Sequence, residues 1–378
     1  MTQLLALTTL LLATAAYAAP LTESSRLAAV YDSILRARFD EAEARLDSAC
    51  PPAPIEACLV LREAALWWRI RLDPFSRALD PKINAASATA IAAADRWVTR
   101  QPQRAEAWFY LAGAYAPLTE WRILRGERLA AARDAKRIKD ALERASMLDA
   151  ALQDAYFGIG MYHYYADVAP AALKLLRFLL LMPGGNRVQG LREMERARAS
   201  GVLLTGEADY QMHYVYLWYE HDHATALRLL RGLDARYPTN PLFLQRIAEV
   251  EQDYRKDLTA ARAAWQQLLA RAEAGGVELA AVANVRARLG LGSVLVDIGD
   301  STRAIETVSP IITSAPAAPY GAIASAHVII ARAAEHLGDL SRAITALEQA
   351  IAHAPRDDPE RIRSRARAMR SRLGSANR

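Results

Sequence analysis

The sequence predicts an all-α protein, a solenoid of antiparallel helix pairs, and three observations carry that reading. Alanine, leucine and arginine dominate a chain of 378 residues of which 52% are hydrophobic, a helix-former's composition. Short ladders of large and small apolar residues recur along the chain. Gly-Asp turns and prolines fall between those ladders, where helices stop. A chain of this length exceeds one compact core, so two domains or one elongated array are the natural options.

The first twenty residues read as a targeting signal. An apolar stretch from Leu4 to about Ala16 leads into Ala16-Tyr17-Ala18, the small-x-small pattern of a signal-peptidase site. The stretch is too short to span a bilayer, so residues 1–18 are expected to be removed after Ala18, giving a periplasmic or secreted protein. No Lys or Arg precedes the apolar stretch. Cys50 and Cys58 are the only cysteines and flank a proline-rich turn, CPPAPIEAC. In an exported chain such a pair reads as a disulfide joining two helix ends; two buried free thiols are the alternative. With no third sulfur or nearby histidine, no metal site is expected there.

The repeat grammar is clearest toward the C-terminus. Ile330-Ala331 and Ala334 are followed by Leu337-Gly338-Asp339, then Ala343, Leu347, Ala350 and Pro355, which spells helix, tight turn, helix, stop. Leu291-Gly292, Leu295, Gly299-Asp300, Ala304 and Val308 repeat it, and Trp108, Leu111-Ala112 and Tyr115 give the same ladder after Pro102. Looser units lie around Arg38–Ala42, Tyr156–Gly160, Ala226–Leu233 and Lys256–Leu268. Their uneven spacing predicts longer connections near 116–134 and 270–284.

These positions resemble the tetratricopeptide repeat, over most of residues 19–355. The resemblance implies helix pairs stacked into a right-handed superhelix whose first helices line a concave groove, a fold that binds proteins more often than it catalyses. Residues 356–378 are expected to form a basic capping helix or tail, with Arg361, Arg363, Arg365, Arg367, Arg370 and Arg372 and no carboxylate after Glu360. Docking of that tail on an anionic lipid surface is the alternative to a solvated cap.

Residues 156–219 form a specialised segment. Ala171 to Met182 predicts a strongly apolar helix, too short to span a bilayer and stopped by Pro183-Gly184-Gly185, with Asn186 capping the next. It reads as a buried solenoid helix or, alternatively, an interfacial one. Pro170, Gly185, Arg187, Gly190 and Leu191 resemble the corresponding stretch of a eukaryotic tetratricopeptide family with a mitochondrial outer-membrane member, which implies a specialised helical repeat and transfers no activity. YFGIGMYHYY and YQMHYVYLWY hold ten of the chain's aromatic residues. Projecting the repeat register places Phe157, Met161, Tyr164, Gln211, Val215 and Trp218 toward the groove, with Arg246, Arg286 and Arg332 further along. Aromatic anchors with a few arginines suit peptide capture; inter-repeat core is the competing reading of the same spacing.

Other functions find less in the residues. The net charge of +5 sets 47 cations against 42 carboxylates, and no basic face with interleaved aromatics marks a nucleic-acid binder. His221-Asp222-His223 reads as a polar turn rather than a metal site. Metalloprotease, serine-hydrolase and phosphate-loop motifs are absent from the sequence. The expected protein is thus a non-catalytic envelope scaffold or adaptor for a protein or peptide partner, without cofactor, metal or nucleic acid. Lipid handling at a membrane, or a metal-dependent activity in residues 156–223, are the alternatives.

Overall fold

The computed structural model describes residues 21–169 and 184–376. The signal peptide at 1–18 and the apolar helix at 171–182 lie outside the described residues.

Among the described residues the chain is all-helical, as the composition predicts. Helices α1 (Ser24–Leu35) and α2 (Phe39–Ala49), α3 (Ile55–Leu72) and α4 (Asp80–Arg100), and α5 (Ala105–Leu124) and α6 (Arg128–Leu148) form the first three pairs. The fourth is α7 (Ala155–Val168) with α8 (Arg187–Ser200). Next come α9 (Thr205–Tyr214, extended by a π-turn at Val215–Tyr219) with α10 (His223–Arg236), and α11 (Pro241–Glu249, extended by a π-turn at Val250–Tyr254) with α12 (Leu258–Glu273). Helices α13 (Ala280–Asp297) and α14 (Ser301–Ser314), then α15 (Ala322–His336) and α16 (Leu340–His353), complete eight pairs. Helix α17 (Ile362–Ala376) packs after them.

One turn chemistry joins the two helices of a pair. Asp222, Asp257, Asp300 and Asp339 each cap a second helix by accepting the backbone N–H three residues on. The residue before each aspartate is left-handed: His221 at φ 54°, Lys256 at 58°, Gly299 at 86° and Gly338 at 76°. Ala37 and Gly126 take the same conformation in the first and third pairs. Non-glycine residues bear a local cost there, which the cap and the packing on either side offset. His221-Asp222-His223 is therefore a capped polar turn.

Two spacing expectations part here. The connection expected near 270–284 exists between Glu273 and Ala280. The one expected near 116–134 does not: α5 runs to Leu124 and α6 begins at Arg128. The additional residues lengthen the helices, and Pro117 sits inside α5. The predicted bridge is present, with Cys50 bonded to Cys58 between the end of α2 and the first turn of α3.

The pairs stack through small residues. Ala331, Ala334, Ala343 and Ala350 are fully buried around Leu347, so the helix axes approach closely. Helices α7 and α8 cross at Gly160 and Gly190, where a methyl on Gly160 would lie 2.7 Å from the Gly190 carbonyl oxygen. The glycine at 190 in the motif of the middle segment thus has a packing cause.

The first two pairs fold back against the later ones. Tyr237 Oη donates to Asp32, Thr239 Oγ1 to the Arg36 carbonyl and Asn240 Nδ2 to the Leu35 carbonyl, all at 2.8–2.9 Å. Asp73, after α3, accepts from Arg286 on α13 and from the Tyr320 backbone N–H. Arg77 pairs with Asp357. One apolar core accordingly runs from Leu27 and Trp68 through Tyr110 to Tyr210 and Phe243.

Candidate binding surface

First helices of five pairs meet in a hub around Glu207 and the Arg71 and Trp68 side chains that it holds. Its carboxylate accepts from Tyr31 Oη (α1) and Trp68 Nε1 (α3) at 2.9 Å, from Arg71 (α3) at 2.9 and 3.3 Å, and from Gln211 Nε2 (α9) at 2.8 Å. Glu120 on α5 accepts from Arg71 at 2.7 Å, Trp67 Nε1 at 3.1 Å and Gln211 at 3.0 Å. Phe243 on α11 meets Trp68 edge-on at 6.0 Å. The Arg71 guanidinium also lies 4.3 Å from the Trp68 ring and 4.8 Å from Tyr210. Burial pushes the Glu207 carboxyl up, but the Arg71 charge and its hydrogen bonds outweigh that and hold it below the usual carboxylate range.

Beside this hub, His213 is buried against Tyr210 and Tyr214. Burial, helped by the nearby Arg246 charge, lowers its pKa to about 3. The ring is therefore neutral, and Nδ1 donates to the Tyr210 carbonyl.

The groove residues expected from the sequence divide accordingly. Phe157, Tyr164 and Val215 are buried with Met194 and Met212 in the core between α7 and α9, and Met161 packs half-buried against them. These four do not form an open groove, and the core reading of the aromatic spacing holds for them. The Tyr164 hydroxyl donates to Glu220, which also pairs with Arg187. Gln211 is buried in the hub. Arg246 pairs with Glu249, Arg286 with Asp73, and Arg332 with Asp297 at 2.6 Å. None of the three arginines is a bare cation awaiting an acidic peptide. Only Gln211, in the hub, and Arg286, on Asp73, are taken up by the fold-back of the early pairs; Phe157, Met161, Tyr164 and Val215 pack among the middle helices themselves, and Arg246 and Arg332 pair within the later ones.

Trp218 is the exception, 49% exposed. Its indole packs at a tilt against Tyr214 with ring centroids 4.4 Å apart and donates to Tyr254 Oη at 2.8 Å. Tyr254 is 41% and Tyr219 40% exposed. Tyr219 meets Tyr165 edge-on at 5.4 Å, and His223 meets Tyr254 at 5.8 Å. The π-turns that end α9 and α11 place Tyr219 and Tyr254 at equivalent positions of successive pairs. Toward α13 and α15 the surface turns polar, where Gln252 donates to Asp297 at 3.1 Å and Arg332 donates to the same carboxylate. Burial, with Glu249 and Asp297 nearby, raises the Asp253 carboxyl, and Lys256 opposes them.

Sequence reasoning missed Tyr219, Tyr254 and the hub. Tyr219 and Tyr254 stand three residues before the capping aspartates Asp222 and Asp257, a shared spacing that aligning the turns would have exposed. The surface is aromatic at one end and charge-balanced at the other, which suits reversible apolar contact. Among the described residues no group of three or more His, Cys, Asp or Glu side chains is arranged to hold a metal ion.

No family model matches the chain, and no curated protein matches it. Among solved structures it is similar to the APC/C hetero-tetramer Cut9–Hcn1, at 15% identity and TM-score 0.48 over 88% of this chain and 53% of that one. It is also similar to yeast Tom70, at 12% identity and TM-score 0.44 over 84% of this chain and 64% of that one. The third likeness is human IFIT1 bound to PPP-AAAA, at 14% identity and TM-score 0.44 over 93% and 84%. The chain spans about half the length of the first and under two thirds of the second.

Proposed function

We propose that this chain is a non-catalytic scaffold of the cell envelope that captures a protein or peptide partner on the surface formed by Trp218, Tyr219 and Tyr254. The observation behind this reading is that exposed Trp218 and Tyr254 are joined across consecutive first-helix ends, with exposed Tyr219 next to Trp218 in the chain. Exposed aromatic anchors of this kind carry much of the binding energy at protein interfaces. The supporting structure is rigid: Tyr214 and Tyr164 beneath the patch are held by hydrogen bonds and ring contacts. Export belongs to the same proposal, resting on the cleavage pattern ending at Ala18 and on the Cys50–Cys58 pair, which suits an oxidising compartment.

Photo-crosslinking from position 219 in the native cell tests the binding. A discrete crosslinked protein that disappears in Trp218→Ala/Tyr254→Ala, with the melting temperature nearly unchanged, supports the proposal. An unchanged crosslink in that variant rejects the surface. Intact mass of the exported protein tests the localisation, because retention of Met1 excludes the cleavage.

A further inference from the structure

The seven arginines after Glu360, accompanied by no carboxylate, exceed the whole chain's formal excess of +5. Arg361 immediately precedes helix α17, which sorts those from Arg363 to Arg372 by face. Ile362, Ala366 and Leu373 are buried against the α15–α16 pair, with Met369 packed alongside. Away from these contacts Arg361, Arg365, Arg367, Arg370 and Arg372 are exposed, as are the small residues Ser364 and Ala368 between them; Arg370 pairs with Glu348 at 3.3 Å. Arg372 is bound to Glu335 at 2.7 and 2.8 Å, and Arg363 donates to the Ala354 and Pro355 carbonyls. Among the described residues Arg361 and Arg367 have neither a side-chain hydrogen bond nor an ion pair, and Arg365 lies near the charge of Glu360.

We infer that this face of α17 docks on a phosphate-bearing anionic lipid surface. Three features select that occupant. Guanidinium groups match phosphate oxygens bidentately. Small residues between them let a flat array of headgroups approach. The apolar side of α17 is already used inside the protein, so the helix cannot insert as an amphipathic anchor does; attachment is electrostatic and salt-sensitive. Nucleic acid fits less well, because the face has no aromatic side chain on which a base could stack, and only one side of the helix projects.

Co-sedimentation of the full chain with phosphatidylcholine vesicles, with and without phosphatidylglycerol, tests this. Wild type binds only the anionic vesicles, and raising the salt releases it. Arg361→Ala/Arg365→Ala/Arg367→Ala binds on the order of 100-fold less with an unchanged melting temperature, and the triple lysine variant retains most of the binding. No binding by wild type, equal binding by the alanine variant, or tighter binding to a DNA duplex than to anionic vesicles would overturn the inference.

Discussion

Arg71 on α3 and Glu207 on α9 are 136 residues apart in sequence and 2.9 Å apart in space. The Arg71 side chain is only 6% exposed and Glu207's 11%. Removing one member of such a pair leaves an uncompensated buried charge, a loss of about 3–5 kcal/mol. In Arg71→Ala the carboxylates of Glu207 and Glu120 remain together without their shared cation. Urea unfolding at neutral pH should show a loss in that range, with the emission of Trp67 and Trp68 changed as well. A loss below about 1 kcal/mol would mean that the hub does not tie the first pairs to the later ones.

Glu63 and His213 give stability opposite pH slopes. Burial pushes Glu63 up to about 8, against the pull of its hydrogen bond from Ser87. Its folded pKa lies above the unfolded value, so the folded state holds the extra proton and stability falls as pH rises from about 4.5 to 8. His213, lowered to about 3 by burial, is neutral where the unfolded chain would be protonated, so stability falls as pH drops below about 6.5. Glu63→Gln should flatten the alkaline limb of a stability–pH curve and leave the acid limb in place. A slope between pH 6.5 and 8 equal to wild type would show that Glu63 does not titrate there.

Tyr164 and Trp218, both placed toward the groove by sequence register, should separate in experiment. Tyr164 is fully buried, so Tyr164→Ala should cost about 3–5 kcal/mol. Trp218→Ala should cost roughly 1 kcal/mol or less, because half of the side chain already faces water. Thermal melts of the two variants check the split, and similar losses would contradict the assignment of one ring to the core and the other to the surface.

The helix pairs and their turns were legible in the sequence because each rests on local chemistry. A capping aspartate, a left-handed residue before it and a small-large ladder all act within a few residues of one another. The groove was not legible, because its openness depends on contacts between positions such as Asp73 and Arg286, 213 residues apart. A register argument assigns Gln211 a face of its own helix but has no information about which distant helix lies opposite. Helix lengthening across 116–134 was hidden for a related reason: Pro117 reads locally as a stop, and the packing of α5 on α6 overrides it.

Gly290 offers the sharpest test of the packing between α12 and α13. A methyl at that position would lie 2.2 Å from Cε2 of Trp265. Trp265 is buried, and Gln252 accepts from its Nε1 at 3.4 Å. The indole therefore cannot withdraw without giving up that contact and its apolar neighbours. On an isolated helix Gly→Ala stabilises by about 1 kcal/mol, whereas overpacking a filled core typically costs 1–3 kcal/mol. The clash distance decides for the second effect. Gly290→Ala should lower the melting temperature, and Gly290→Ala/Trp265→Leu should recover part of the loss. If the single variant is more stable than wild type, the indole does not cover this helix face.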